Sequence, residues 1–195
     1  MEGYSQRYDA ALTFAARAHR DQKRKGSDVP YIVHPVHVSV ILLRYGFSED
    51  VAIGGLLHDV VEDQDVALSE IEAEFGPAVV DMVAALTERK KEQGRPRPWE
   101  IRKEEALVQL QSANLEAVAV KAADALHSAR SMTAGITDEG PSFWDSFSRG
   151  PSQSLWYYER VADIARQRLA PHPLADELDA AVDGLAQAIA RSGSR

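Results

Sequence analysis

Four residues of this chain belong to types that bind divalent metals: His34, the adjacent pair His58-Asp59, and Asp124. The pair is followed at once by Glu62 and Asp63. A divalent ion beside further carboxylates is a means of activating water, so the set points to metal-dependent hydrolysis. Histidine and carboxylate ligands suit manganese, iron, zinc or magnesium, according to geometry. On a continuous helix Glu62 would lie one turn beyond His58, and Asp63 one turn beyond Asp59, so that all four would share one broad face. That many ionisable groups at the end of an apolar helix call for a compensating cation. Taken singly, each residue has an ordinary reading. His58-Asp59 could be a surface pair, His34 could cap a loop, Asp124 could pair with Lys121, and Glu62 and Asp63 could be solvated helix-end charges. The combination, in these contexts, favours the shared site.

The elements that must position these residues read as helical nearly throughout. Tyr8, Leu12, Ala15, Ala16 and His19 fall at helical spacing within residues 5–21. A basic loop follows, and Pro35 is placed to open the next helix, which Gly46 should stop. Ser48 is an N-cap candidate, with Glu49 and Asp50 complementing the helix dipole. The apolar run Val51 to Leu57 predicts a buried helix, in which Gly54-Gly55 implies close packing against a neighbour. A short helix is expected over Leu68–Phe75, another from Pro77 to about Lys91, and one from Trp99 to about Gln111. Asn114 can cap the helix that carries Asp124. Residues 134–151 read as a surface excursion, and two helices near 152–169 and 174–191 close the chain. No alternating strand pattern persists. The expected fold class is all-α, a helical bundle, and helices converging in a bundle core are a common frame for a metal site.

Length and composition bound the function. At 195 residues, one domain spanning 1–195 is expected, with a metal-site core at about 5–135 and C-terminal helices at about 152–191. The net charge of −8 argues against a protein that coats nucleic acid. Basic residues nonetheless cluster, at Arg20, Lys23, Arg24 and Lys25 and again between Arg89 and Lys103, and a small polyphosphate needs only a local basic pocket. No apolar run approaches a membrane span, and Met1-Glu2-Gly3-Tyr4-Ser5 lacks a signal pattern. With no cysteine there is neither a disulfide nor a thiolate metal site. The expected location is the cytoplasm, with no membrane partner.

Several segments together resemble a known family. They include Ala18-His19-Arg20-Asp21-Gln22-Lys23-Arg24-Lys25, Pro30-Tyr31-Ile32-Val33-His34-Pro35 and Leu56-Leu57-His58-Asp59-Val60-Val61-Glu62-Asp63. Phe75-Gly76, Leu86-Thr87, Arg102-Lys103 and Val120-Lys121-Ala122-Ala123-Asp124-Ala125-Leu126-His127 complete the set. On these the chain resembles HD-superfamily phosphohydrolases of the branch related to RelA/SpoT-type and small alarmone hydrolases, over roughly residues 5–135. The resemblance implies an HD-domain bundle in which His34, His58, Asp59 and Asp124 hold one metal ion, usually manganese. Glu62 and Asp63 would then orient or deprotonate the attacking water. The implied reaction removes the 3′-pyrophosphate from guanosine 3′,5′-bis(diphosphate), the substrate being a nucleotide polyphosphate.

By the same resemblance Arg24 and Lys25 fall near the base and phosphates, and Arg102 and Lys103 fall where phosphate-binding cations stand. His127, Ser128, Arg130 and Tyr157 are further candidates for substrate contact. The chain departs from the family pattern at Ser128, where an asparagine amide usually reaches the nucleotide sugar, and in Gly26-Ser27-Asp28-Val29, about one residue longer than the common loop. Without a synthetase or regulatory domain it would be a stand-alone hydrolase. Two alternatives stand beside the alarmone reading: an HD phosphohydrolase acting on another nucleotide or phosphoester, and a non-enzymatic nucleotide-binding sensor. Retention of both Glu62 and Asp63 speaks against the sensor.

Overall fold

A computed structural model describes residues 5–193. Residues 1–4, on which part of the signal-pattern reading rests, lie outside the described residues. The N-terminal half comprises α1 (Gln6–Ala18), α2 (Val33–Arg44), α3 (Glu49–Leu57), α4 (Val60–Asp63), α5 (Leu68–Phe75) and α6 (Pro77–Leu86). A two-stranded hairpin, β1 (Lys91–Glu92) and β2 (Arg95–Pro96), leads to α7 (Trp99–Ser112) and α8 (Leu115–Glu139). A 3-10 segment, Gly140–Ser146, precedes α9 (Pro151–Leu169) and α10 (Pro173–Ser192). Among the described residues the fold is all-α apart from this hairpin and an isolated bridge between Lys23 and Pro30. Among the described residues no helix is long and apolar enough to cross a membrane.

Local chemistry accounts for most boundaries. Ser5, Ser48 and Asn114 each accept a hydrogen bond from a backbone amide in the first turn of α1, α3 and α8. Gly46, at φ +81°, lets the chain leave α2 in a left-handed conformation. Helix α2 begins two residues before Pro35, which is tolerated because first-turn amides have no intrahelical partner. The centre of the bundle is α8. It packs against α10, α9, α2, α3 and α6 and contributes a buried run from Ala117 to Val120.

Every residue of α3 from Val51 to Leu57 is buried, as its apolar run predicts. A side chain at Gly55 would meet Leu42 Cδ1 at 2.7 Å and the Ser39 backbone at 3.4 Å, whereas one at Gly54 would meet the flexible Met82. Overpacking a fixed core typically costs about 1–3 kcal/mol. Gly55→Ala is therefore expected to lower stability in urea denaturation by about that amount, and Gly54→Ala by less.

Three expectations are corrected. The helix through His58-Asp59 is not continuous. It breaks there, because His58 Nδ1 donates to Gly55 O at 2.8 Å, the carbonyl that the Asp59 amide would take in an unbroken helix. His58 is consequently turned inward, whereas the turn from Asp59 to Asp63 is intact and Asp59, Glu62 and Asp63 border one cleft. The helix opened by Pro77 stops at Leu86 rather than near Lys91, where Thr87 becomes extended and its hydroxyl donates to Val83 O. The chain then forms the hairpin about Gln93-Gly94, both with positive φ, the signature of a two-residue primed turn. Finally, α8 continues through residues 134–139. Thr133 and Thr137 bond back to carbonyls one turn earlier, and Gly135 lies under the Phe143 ring, so the 3-10 segment folds onto the helix.

Candidate metal centre and active-site cleft

Three elements deliver the four candidate ligands. His34 stands in the first turn of α2, His58 and Asp59 form the break between α3 and α4, and Asp124 lies in the buried middle of α8. His34 Nε2 is 3.2 Å from Asp124 Oδ1 and 3.7 Å from Asp59 Oδ2. His58 Nε2 is 3.0 Å from Asp59 Oδ2 and 4.0 Å from Asp124 Oδ1. One ligand atom each from His34, His58 and Asp59 lies within 4.8 Å of the others, a spacing that suits one shared ion.

The donor set passes a further test. The Nδ1 proton of His58 is committed to the Gly55 carbonyl, which leaves Nε2 as the nitrogen facing the acids. This buried Nε2 has no hydrogen-bond partner, since Asp59 lies near it but off the bonding line. In the neutral form that metal binding requires, the imidazole would aim its lone pair at carboxylate oxygens, an arrangement that a cation between them would relieve.

Neighbouring groups hold the acids in place. Tyr31 donates its hydroxyl to Asp59 Oδ2 at 2.5 Å, and Lys121 donates to Asp124 Oδ2 at 2.7 Å while Oδ1 stays turned to His34. The local Lys121 pairing and the convergence on His34 thus coexist on one carboxylate. Burial works against ionisation of Asp124, but Lys121 and the two histidines outweigh it and hold the carboxyl well below its ordinary range. Burial likewise pushes His58 down, yet Asp59 and Asp124 prevail and raise it to about 9. His34 moves the other way, lowered chiefly by its own burial.

Glu62 and Asp63 turn towards the hairpin side. Glu62 Oε2 accepts from the Glu88 amide at 3.2 Å, and Lys90 Nζ is 3.2 Å from Glu62 Oε1. Asp63 is held on both oxygens, by Lys90 at 2.5 Å and Gln22 at 2.9 Å. Burial, then Glu88, raises the Glu62 carboxyl above its usual value despite Lys90.

His34, Asp59, Glu62, Asp63 and Asp124, but not the buried His58, border one cleft of about 920 Å³. Arg24, Lys25, Arg102, Lys103, His127, Ser128 and Tyr157 line it as well. Arg102 and Lys103 both pair with the almost fully buried Glu88, at 2.9 and 2.5 Å, so that one acid offsets part of their charge. Lys103 Nζ lies 4.3 Å from the centre of the buried Tyr157 ring, a cation–π contact. Arg24 and Lys25 have no acidic partner among the described residues and lie over Tyr31 and Phe147. Ser128 donates to Asp124 Oδ1 at 3.4 Å, and His127 Nδ1 lies 2.8 Å from His34 Nδ1.

A family model described as "HD domain" matches residues 11–146. The chain belongs to the HD-domain family. The solved structure of a metazoan ortholog of SpoT that hydrolyzes ppGpp superimposes with a TM-score of 0.75 at 28% identity, covering 93% of this chain and 96% of that one. The guanosine-3′,5′-bis(diphosphate) 3′-pyrophosphohydrolase MESH1 of Mus musculus is 37% identical over 125 residues, 63% of this chain and 67% of that protein. A GTP pyrophosphokinase of Streptomyces coelicolor is 36% identical over 126 residues, 64% of this chain. This chain spans only 14% of the length of that relative and 46% of human MESH1.

One expected contact of the HD domain is corrected. Arg130 does not border the cleft but forms an exposed ion pair with Glu177 of α10. Six residues along a helix amount to about 120° away from Asp124 around the axis, which turns Arg130 off the cleft face. Residues 128, 131, 135 and 138 are the ones that repeat on that face, and Ser131, Gly135 and Asp138 do line the cleft. Sequence reasoning also missed Tyr31, Glu88 and Lys90 as supports of the site. Tyr31, three residues before His34 in a motif already singled out, carried a signal. Glu88 and Lys90 did not, because they sit in what reads as the tail of a helix.

Proposed function

We propose that this HD domain is a metal-dependent phosphohydrolase that removes the 3′-pyrophosphate from guanosine 3′,5′-bis(diphosphate) or a related alarmone, with manganese as its ion. The observation that carries the reading is the meeting of His34, His58, Asp59 and Asp124 around a buried imidazole nitrogen that has no hydrogen-bond partner. The activity printed in the names of relatives similar in sequence and fold supports the substrate class. The four residues would hold the ion, which polarises a phosphoryl oxygen and acidifies water.

The chain's own groups supply the rest. Glu62, whose carboxyl burial raises above its usual value, takes the proton of the attacking water on Oε1, the oxygen that faces Lys90 Nζ at 3.2 Å, while Oε2 accepts from the Glu88 amide. Asp63 positions this segment through Gln22 and Lys90. Arg24 and Lys25, without acidic partners, receive an anionic and aromatic part of the substrate. Lys103 and Tyr157, with Arg102, form a cationic wall for phosphate. A cytoplasmic location, with the nucleotide as partner and neither nucleic acid nor membrane, and a single domain over 1–195 belong to the same reading.

One observation favours a second reading. Ser128 is short and its hydroxyl is directed at Asp124, which leaves the sugar side of the cleft without the amide of the family pattern and suits another nucleotide or phosphoester. Product chromatography of a nucleotide panel with manganese separates the two. Pyrophosphate and an intact 5′-diphosphate from guanosine 3′,5′-bis(diphosphate) support the first reading. Inorganic phosphate from simple nucleotides supports the second, and binding without turnover in metal-loaded protein supports a sensor.

The electrostatics give a separate expectation. A folded-state value of about 9 keeps His58 protonated at neutral pH in the metal-free chain, and this charge must leave before Nε2 can serve as a ligand. His58 being raised, its ion pair stabilises the metal-free fold fully below the unfolded value and fades as pH climbs to about 9. Manganese affinity should therefore increase with pH over that interval. Calorimetric titration in buffers of different ionisation enthalpy should show release of about one proton at neutral pH, and none well above the folded value. Zero release at neutral pH would contradict the assignment of His58.

A further inference from the structure

His34 and His127 share a hydrogen bond whose direction can be deduced. Their Nδ1 atoms lie 2.8 Å apart, and two imidazole nitrogens at that distance bond only if one carries the proton and the other presents its lone pair. The other nitrogen of His34, Nε2, is the one turned to Asp124 and Asp59, at 3.2 and 3.7 Å. On the proposed metal-centre reading, on which this inference rests, Nε2 must offer its lone pair to the ion. The His34 proton then sits on Nδ1 and is donated to His127. It follows that His127 accepts through Nδ1 and carries its own proton on Nε2.

The surroundings hold His127 to that task. Its ring stacks on His37 at 4.7 Å between centroids and lies 4.9 Å from the His34 ring. His34 is 2% exposed, so water has little access with which to replace the acceptor. His127 itself borders the cleft, and its Nε2 has no protein partner among the described residues.

We infer that His127 is a positioning residue: it fixes the tautomer of His34 that can bind the ion, and the same proton arrangement presents an N–H donor to the oxygen atoms of a phosphate or sugar in the cleft. Metal-ligating histidines commonly depend on such an acceptor behind the ring. His127 was expected only as a substrate contact. The geometry gives it a second partner on the metal side, and this links substrate binding to metal binding through one ring.

The test compares two substitutions. His127→Asn places an amide oxygen where Nδ1 stood and keeps an acceptor for His34, while His127→Leu fills the space without one. Metal-free wild-type protein and both variants are titrated with manganese(II), and the free ion is read by electron paramagnetic resonance. His127→Leu should weaken manganese binding by about 10–100-fold, and His127→Asn should recover most of that loss. Wild-type affinity in the leucine variant, or an equal loss in both, overturns the inference. Should the leucine variant fail to fold, nitrogen NMR shifts of His34 in wild-type protein loaded with zinc decide the matter. A proton on Nδ1 supports the inference, and its absence there overturns it. Failure of the metal-centre reading looks different, because wild-type protein would then not bind manganese at all.

Discussion

Asp59→Ala abolishes manganese binding at concentrations that saturate the wild-type protein, and hydrolysis disappears with it. Asp59 meets three neighbours through a single oxygen. One oxygen, Oδ2, lies 3.0 Å from His58 Nε2, 3.7 Å from His34 Nε2 and 2.5 Å from the Tyr31 hydroxyl. Truncation removes a ligand and its charge together, and it strands the Tyr31 hydroxyl, which burial and the Asp59 charge now keep protonated. Removing one member of a buried charged pair also costs about 3–5 kcal/mol of fold stability. Asp59→Asn separates the two effects. It keeps an acceptor for Tyr31 but loses the charge that pairs with His58, so it should keep its helical content with less loss of stability than Asp59→Ala and still bind manganese poorly. Calorimetry reads the affinity and far-UV circular dichroism the fold. Parental manganese affinity in Asp59→Ala would sink the assignment of the centre.

Glu62→Gln has the opposite signature: manganese affinity stays close to that of the parent, while turnover falls. The side chain lies outside the group of converging ligands, bonded to the Glu88 amide and near Lys90. A glutamine preserves shape and the Glu88 contact but cannot take up a proton. Loss of a general base typically costs about 10²–10⁴ in rate. Asp63→Asn should cost less, because Lys90 and Gln22 hold the two Asp63 oxygens at 2.5 and 2.9 Å, closer than the 3.2 Å contacts on Glu62, and its part is to position. Single-turnover rates at saturating manganese check the order of the two variants. If Glu62→Gln turns over at the parental rate, Glu62 is not the base. A larger loss in Asp63→Asn would exchange the two roles.

The four candidate ligands were legible because their types are unusual where they occur. An aspartate in the apolar stretch Val118–Leu126 and a histidine–aspartate pair ending Val51–Leu57 both need partners, and neither has one nearby except Lys121. Arg24 and Lys25 were legible as a basic cluster beside a glycine-marked loop, and the structure leaves them without acids. Arg130 was misread because its nearness in sequence to Asp124 stood in for direction on the helix. Its pairing with Glu177, 47 residues away, has no local signal.

By itself the sequence determined the helices and their ends wherever a cap or glycine marks them, at Gly46, Ser48 and Asn114, together with the all-α class and the residue types of the centre. Those features depend on hydrogen bonds and periodicities within a few residues, which the order of amino acids encodes directly. Tertiary structure alone decided that His58, Asp59 and Asp124 meet His34, and that Glu62 and Asp63 meet Lys90. It also decided that buried Glu88 joins Arg102 and Lys103, and that His127 stands behind His34. Each of these depends on a hydrogen bond or charge pairing whose partner is chosen by packing between distant segments, and a repeat along one helix carries no information about which segment will arrive opposite it.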